Sequence, residues 1–185
     1  MDNVTYLLIV VPPKEVIEYV DGLRGIYAKF TNYVIPPHVS IYPPFYSNFS
    51  SEFELVESLS GCFSHSSSFT VKMISVGYFE GKNNVAFLEP DGNSSKYLLK
   101  LLTKAVSCFG RNVKNTFSDY SFTPEKFKPH MTIAEKIPKE ELSRLKKELS
   151  KEKVDKSFEV NSVHLYRQSK GTSIWQERAK INFTS

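Results

Sequence analysis

Two short segments of the chain carry the residue types that could do chemistry. Each runs proline, histidine, apolar residue, hydroxyl residue, isoleucine, and their histidines are His38 and His130. Side chains two positions apart leave the same face of a strand, so the pattern predicts His38 beside Ser40 and His130 beside Thr132. One match of this length is weak, but two in matching positions of a 185-residue chain indicate a functional pair.

Paired imidazoles and hydroxyls suit the transfer of a phosphoester. The ordinary pKa of histidine, about 6.5, allows both protonation states near neutrality, so His38 and His130 could act as base and acid across one groove. The hydroxyls of Ser40 and Thr132 could donate hydrogen bonds to the non-reacting oxygens of a tetrahedral phosphorus. A serine hydrolase is less well supported, because the sequence has no Gly-x-Ser-x-Gly motif.

A zinc site is the other chemistry that two histidines could serve. No aspartate or glutamate lies within two positions of His38 or His130, and the sequence has neither a His-x-x-x-His nor a Cys-x-x-Cys pattern. The metal alternative is therefore less favoured, and we predict no metal and no cofactor. The remaining histidines, His65 and His164, have no repeated surroundings and are interpreted as ordinary polar positions.

Strand alternation adds two aromatic residues to the candidate site. Tyr166 is predicted to point away from Val163 and Leu165, and Phe79 occupies the equivalent place in an earlier strand. A ring at either position could stack on a nucleobase. The competing interpretation, that both are packing aromatics of a half-buried strand, is equally consistent with the sequence.

The elements that would position these residues repeat along the chain. A continuous apolar strand over Val4–Val11 leads into a helix from Pro13 to about Phe30, and the order strand, helix, prolines, histidine strand, helix, strand then recurs. A last hairpin is predicted from a long strand, Ser157–Arg167, and its partner, Ser173–Phe183. We expect one bilobal α+β domain over residues 1–185, with two pseudo-symmetric antiparallel-sheet lobes, outer helices and a central cleft.

Composition limits the class of protein and its partners. The chain is 41% apolar and 24% charged, as in ordinary globular proteins, and its net charge of +4 favours a phosphate-bearing partner. No window approaches the roughly 20 apolar residues of a membrane span, and the first apolar run is shorter than a signal-peptide core. A cytoplasmic protein with no membrane contact and no obligatory protein partner is predicted. Cys62 and Cys108 are expected to be buried reduced thiols.

The two His-x-Ser/Thr motifs resemble those of the two-histidine phosphoesterase superfamily, which includes the bacterial 2′,5′ RNA ligase-like proteins and the cyclic phosphodiesterases. Further similarity to small bacterial phosphoesterases lies in the run Ile35-Pro36-Pro37 before His38, the Asn83-Asn84-Val85 turn and the hairpin that reaches Trp175. The resemblance implies a bilobal α+β fold with a central cleft. It also implies that the histidines are acid and base, that the hydroxyls hold phosphate oxygens, and that no metal is needed.

The expected function is that of a metal-independent phosphodiesterase of the cyclic phosphodiesterase type. Its substrate would be a nucleotide or an RNA end. Two alternatives stay open: 2′,5′ ligation of RNA ends by the same groups, and an RNA- or nucleotide-binding module without turnover. The sequence does not choose the substrate or the direction, nor does it say which histidine is the acid.

Overall fold

The computed structural model describes residues 4–30, 34–116 and 124–184. These residues form four α-helices and two antiparallel sheets, which confirms the predicted α+β class. The helices are α1 (Lys14–Ile26), α2 (Glu52–Phe63), α3 (Gly92–Phe109) and α4 (Lys139–Leu149), and short 3-10 turns occupy Ala28–Phe30 and Pro124–Lys126. The strands are β1 (Thr5–Val10), β2 (Val39–Ser47), β3 (Phe69–Phe79), β4 (Asn84–Pro90), β5 (Val113–Asn115), β6 (Met131–Ile137), β7 (Lys156–Val160), β8 (Ser162–Gln168) and β9 (Trp175–Asn182).

The two histidine motifs lead into different sheets. Sheet A has the strand order β5-β2-β1-β8-β9, and sheet B has the order β6-β4-β3-β7. His38 precedes β2 of sheet A, whereas His130 precedes β6 of sheet B. Each sheet therefore supplies one histidine.

The halves of the sequence do not each build their own sheet. β3, from the first half, lies in sheet B, and β8 and β9, from the second half, lie in sheet A. The expected long strand Ser157–Arg167 is corrected here, because Asn161 divides it into β7, which pairs with β3, and β8, which pairs with β1 and β9. In the sequence, the apolar positions change parity from Phe158 and Val160 to Val163 and Leu165, and this change marks the passage between sheets.

β1 shows why its sequence is apolar without interruption. Leu8 and Val10 join the main core, while Leu7 and Ile9 pack on the opposite face of sheet A in a smaller cluster. All four are at most 5% exposed. A central strand covered on both faces needs apolar residues at every position, as predicted.

The sequence of β3 predicts a bulge or burial on both faces, because its apolar positions change from Phe69, Val71 and Met73 to Ile74, Val76 and Tyr78. Met73 pairs with Pro90 but Ser75 pairs with Glu89, so Ile74 is one extra residue in the strand and forms a bulge. After the bulge, Val76 and Tyr78 pack on the main core. Phe79 consequently leaves the other face of sheet B.

Local capping fixes where α2 and α3 begin. The Ser51 hydroxyl accepts a hydrogen bond from the Glu54 N–H at 3.1 Å, and the Asp91 carboxylate accepts one from the Ser94 N–H at 2.7 Å. The sequence predicts one apolar stripe on α2, formed by Phe53, Val56, Leu59 and Phe63. That prediction is partly wrong, because Phe53 is 73% exposed. Leu55 takes its place, since it lies one helical turn from Leu59 and is fully buried.

Cys62 and Cys108 form a disulfide that joins α2 to α3. The expectation of reduced thiols is therefore corrected. The two cysteines lie on the facing sides of adjacent helices, and their Cα atoms are 6.1 Å apart, which is within the range that a disulfide spans. The sequence shows two helical cysteines but does not show that their helices are neighbours. Disulfides are more frequent in oxidising compartments, and the cytoplasmic location stays a prediction.

One main core holds residues from both sheets and all four helices. α1 packs against β6, and α2 and α3 pack on each other beneath sheet A. The sequence predicts a charged amphipathic helix with a narrow apolar stripe of Leu142, Leu145 and Leu149, and α4 buries these three residues. Among the helices of the described residues, none has the length and apolarity to cross a membrane.

Candidate active site

The two histidines have the same local geometry. The Nδ1 atom of His38 lies 2.8 Å from the carbonyl oxygen of Pro36, and that of His130 lies 2.8 Å from the carbonyl oxygen of Lys128. A carbonyl can only accept, so each ring donates from Nδ1, and in the neutral ring Nε2 carries the lone pair. Each imidazole is thereby oriented by the backbone two residues before it, with Nε2 left for proton transfer.

The hydroxyls beside the histidines point away from the main core. Val39 and Ile41 of β2 are fully buried in that core, so Ser40 between them leaves the other face of sheet A. Met131 and Ile133 of β6 are buried in the same way. Thr132 therefore leaves the opposite face of sheet B, as the motif predicts.

Arg24 of α1 joins the two motif segments. Its Nε donates a hydrogen bond to the carbonyl of Thr132 at 3.2 Å, and its Nη1 donates to the carbonyl of Ile35, three residues before His38, at 3.3 Å. The same Nη1 lies 3.3 Å from the Asp21 carboxylate. Arg24 is only 6% exposed, so a buried cation fixes both segments relative to α1.

Sequence reasoning missed Arg24, although the signal was present. Val16 and Val20 repeat at four-residue spacing on the buried face of α1, and position 24 continues that row with an arginine. A charged residue on the apolar face of a helix indicates a buried partner. The identity of that partner, a carbonyl more than 100 residues away, was not readable.

Burial and charge keep both histidines neutral. Burial, with smaller contributions from the charges of Arg24 and His130, lowers the pKa of His38 to about 4, and the hydrogen bond to the Pro36 carbonyl acts in the opposite direction. Burial also lowers the pKa of His130, with a smaller contribution from the Lys128 ammonium. The charge of His130 acts on His38, so the two rings share one electrostatic environment.

Aromatic rings surround the second histidine. The Phe79 ring meets the His130 ring edge-on at 5.0 Å between centroids, and the Phe87 ring lies at 5.1 Å. Phe87 pairs with Thr132 on one side and with Gly77 on the other. A Cβ atom at Gly77 would overlap the Phe87 ring, so the glycine lets that ring lie across β3. Phe87 and Gly77 were not predicted as site residues.

The structure places the two predicted aromatics differently. Phe79 lies beside His130, as described above. Tyr166 lies on the same face of sheet A as Ser40, because Leu7 and Ile9 are its neighbours on that face and Ile9 pairs with Ser40. It is only 7% exposed, and its hydroxyl donates to Glu177 at 3.2 Å. A base-stacking role for either ring stays a prediction.

In the part of the chain that the structure describes, no three or more histidine, cysteine, aspartate or glutamate side chains group together as metal ligands would. His65, interpreted as an ordinary polar residue, is exposed in the loop after α2, away from both motifs. His164, which was interpreted in the same way as His65, lies within hydrogen-bonding distance of Glu177 and Ser162.

Comparison with known proteins identifies a family. The family model described as the 2′-5′ RNA ligase superfamily matches residues 12–172. No curated protein matches the chain.

Among solved structures, Escherichia coli LigT in its apo form is 17% identical with a TM-score of 0.67, over all of both chains. LigT complexed with 3′-AMP is 16% identical with a TM-score of 0.65, also over all of both chains. TT0787 of Thermus thermophilus is 16% identical with a TM-score of 0.64, over 98% of each chain. At these identities the matches establish the shared fold.

Proposed function

The chain belongs to the 2′-5′ RNA ligase superfamily, and from that membership we propose that it is a phosphodiesterase acting on a nucleotide or RNA end by acid–base catalysis with His38 and His130. The observation that carries the proposal is the duplicated local geometry. Each histidine donates from Nδ1 to a carbonyl two residues earlier at 2.8 Å, which leaves each Nε2 for proton transfer. A nucleotide substrate is supported by LigT, which has the same fold and was solved with 3′-AMP.

For a 2′,3′-cyclic phosphate the reaction proceeds by displacement at phosphorus. A water oxygen forms a bond to phosphorus while the bond to one ribose oxygen breaks. Nε2 of one histidine takes a proton from the water, and Nε2 of the other gives a proton to the leaving ribose oxygen. At the end of the turnover the base carries the extra proton and the acid has lost its own, and exchange with solvent restores the starting states. This scheme needs no metal ion.

The electrostatics favour His38 as the base. Burial, the Arg24 guanidinium and the charge of His130 all lower its pKa, so its ring is neutral near pH 7 and can accept a proton. The acid role then falls to His130, whose protonated form is stabilised when the phosphate anion binds next to it. The Ser40 and Thr132 hydroxyls donate to the non-bridging oxygens and stabilise the charge that develops there.

The reverse reaction is the second candidate. The same acid and base would join a cyclic phosphate end to a hydroxyl end by microscopic reversibility, and the family's description as RNA ligases favours this direction. Hydrolysis and ligation would both use a single site to which the two sheets contribute, because each sheet supplies one histidine and one hydroxyl.

The test is turnover in the presence of EDTA. The substrates are 2′,3′-cyclic nucleotides and oligonucleotides with 2′-5′ or 3′-5′ linkages, analysed for both hydrolysis and ligation. Asparagine keeps a donor for the carbonyl at either site, so His38→Asn and His130→Asn remove the proton carrier with little change in shape. His65→Asn, at an exposed position outside the site, is the matched control.

We expect turnover in EDTA, a loss of about 10²–10⁴-fold in each motif variant and full activity in the control. Activity that requires added Zn²⁺ would contradict acid–base catalysis. Nucleotide binding without any turnover would instead favour the non-catalytic binding module.

A further inference from the structure

A second polar cluster lies on the same face of sheet A as Ser40, outside the acid–base pair. The Glu177 Oε2 atom accepts a hydrogen bond from His164 Nδ1 at 3.1 Å and another from the Tyr166 hydroxyl at 3.2 Å. Nε2 of His164 in turn lies 3.2 Å from the Ser162 hydroxyl. His164 and Tyr166 are both 7% exposed, whereas the Glu177 side chain is 44% exposed. Two buried donors thus hold a carboxylate that reaches solvent.

The protonation states of these donors match their contacts. Burial and the neighbouring Glu177 carboxylate raise the pKa of Tyr166 to about 12, so its hydroxyl keeps its proton and donates. Burial lowers the pKa of His164, so its ring is neutral near pH 7 and carries a single N–H, on Nδ1. Both lone pairs of Oε2 are used by these donors. Within the described residues no hydrogen bond reaches Oε1, which is left to accept from a ligand.

The strand register places the cluster next to the motif of His38. Ser40 pairs with Ile9, and Ile9 pairs with His164, so these three side chains form one row across sheet A. With strands about 4.8 Å apart, the Cα atoms of Ser40 and His164 are separated by roughly 10 Å. Glu177 pairs with Tyr166 and belongs to the adjacent row on the same face. Because β9 lies one strand beyond β8, the Cα atoms of Glu177 and Ser40 are separated by roughly 14 Å. The carboxylate therefore shares a face of sheet A with the proposed phosphate position without being part of it.

An apolar floor lies between these polar groups. Leu7, Ile9 and Tyr166 form a buried cluster, and Val11, Ile35 and Trp175 pack against it. Trp175 stands two residues before Glu177 and shares its face, because the extra residue in β9, Arg178, comes after both. The Ile35 carbonyl accepts from Arg24, so the floor is continuous with the segment that positions His38.

We propose that this surface is a nucleoside subsite: the base of the substrate lies on the apolar floor against Trp175 and donates an N–H group to Oε1 of Glu177. The proposal rests on the function proposed above, which places the phosphate of the same substrate between the histidines. Small-molecule sites combine an apolar lining with a few placed polar groups, as found here. A carboxylate accepts but cannot donate, so it selects the bases that carry an exocyclic amine over uracil, whose ring N–H lies between two carbonyls.

Binding of 3′-monophosphates tests the subsite separately from catalysis. Titration calorimetry would compare guanosine 3′-monophosphate, uridine 3′-monophosphate and inorganic phosphate on the wild-type chain, Glu177→Gln and Trp175→Ala. Gln176→Ala is the matched control, because Gln176 lies between the two tested residues on β9 and points to the other face. Affinity for inorganic phosphate reports whether each variant keeps a folded phosphate site.

We expect the wild-type chain to bind the guanosine nucleotide about tenfold more tightly than the uridine nucleotide. Glu177→Gln should bring that ratio close to one. Trp175→Ala should weaken both nucleotides by about tenfold through lost stacking. Inorganic phosphate should bind equally well to all of these proteins and to the control.

An unchanged nucleotide ratio in Glu177→Gln would overturn the subsite, even if the histidine variants abolish turnover. The same conclusion follows if the wild-type chain binds nucleotides no better than inorganic phosphate. If the ratio depends on Glu177 while no cyclic nucleotide or oligonucleotide is turned over, the subsite stands and the proposed reaction fails.

Discussion

The Nε atom of Arg24 donates a hydrogen bond to the carbonyl oxygen of Thr132 across 3.2 Å, although 108 positions separate the two residues in the sequence. Because Nη1 of the same guanidinium reaches the carbonyl of Ile35, one helix residue sets the spacing between the segments of both histidines. Its positive charge also lowers the pKa of His38, after the larger effect of burial. Arg24 therefore acts on the geometry and on the protonation of the proposed site.

Replacing Arg24 with glutamine should affect both properties. Loss of the charge should raise the pKa of His38, which can be followed by NMR titration of its ring protons. Loss of the donors should lower the free energy of unfolding by about 1–3 kcal/mol, because buried carbonyls lose a charged partner. Arg144→Gln, at a largely exposed position on α4, is the control. An unchanged His38 titration in Arg24→Gln would contradict this account.

The pH dependence of stability should reveal the half-buried, neutral His38. In the unfolded chain His38 takes up a proton near its ordinary pKa of 6.5, whereas in the folded chain it does so only near 4. Between these values the unfolded state binds more protons, so the free energy of unfolding should fall as the pH is lowered from about 6.5 to about 4. The difference between these two pKa values sets an upper limit of about 3–4 kcal/mol on this loss, because one pKa unit corresponds to about 1.36 kcal/mol.

Urea unfolding across this pH range would measure the effect. His130 and His164 also have lowered pKa values and contribute in the same direction, so the comparison is between the wild-type chain and His38→Asn. The variant should lose part of the pH dependence. Identical slopes in the two proteins would show that His38 titrates normally in the folded chain.

Turnover should have a bell-shaped dependence on pH with its maximum on the acid side of neutrality. Activity should fall at low pH as His38, the proposed base, becomes protonated near its lowered pKa of about 4. It should also fall at high pH as His130 loses the proton that it must donate, and its pKa is lowered too. The measurement is kcat/KM against pH, which reports the free enzyme. A flat profile from pH 5 to 9 would contradict the assignment of acid and base.

Double variants would show whether the histidines act as one unit. If they take part in a single displacement, His38→Asn combined with His130→Asn should cost far less than the product of the two single losses. Multiplicative losses would indicate that the two residues act in independent steps.

The hydroxyls should act on the reaction more than on the fold. Ser40→Ala and Thr132→Val should lower kcat by about 10²-fold or more, as the removal of an oxyanion donor does elsewhere. Their melting temperatures should change little, because both side chains leave the faces opposite the main core. Thr132→Ser keeps the donor and serves as the control. A fall in stability without a specific loss of turnover would make these residues structural.

The sequence predicted those parts of the site that depend on short-range patterns. The alternation of Val39, Ser40 and Ile41 was enough to orient the hydroxyl, since a strand has a period of two. The bulge at Ile74 followed from the change of parity in β3. In contrast, nothing local distinguishes Asn161 as the point where one strand passes from sheet B to sheet A, because that choice depends on which strands are free to pair.

The partners of Arg24 and the surroundings of Glu177 were also out of reach of pattern reasoning. The partners of Arg24 are backbone carbonyls of distant segments, and carbonyls occur at every position of a sequence. Glu177 becomes notable only because the hairpin register sets it opposite Tyr166 and near His164. Both residues depend on tertiary contacts between strands and helices that are far apart along the chain.

Gly77 and Phe87 provide a last test of how His130 is positioned. Phe87 pairs with Gly77, and its ring covers the place that a Cβ atom of residue 77 would occupy. The ring then packs against both Phe79 and His130. Gly77→Ala should push the Phe87 ring out of this position and lower the melting temperature by several degrees, because overpacking a core typically costs about 1–3 kcal/mol.

The displaced ring should also release His130, so kcat should fall more than stability alone explains at a temperature where the variant is fully folded. Gly77→Ala combined with Phe87→Leu is the informative second variant, because a smaller side chain leaves room for the added methyl group. It should recover stability while turnover stays low, since the aromatic contact with His130 is still absent. Full recovery of turnover in the double variant would show that Phe87 fills space without positioning the histidine.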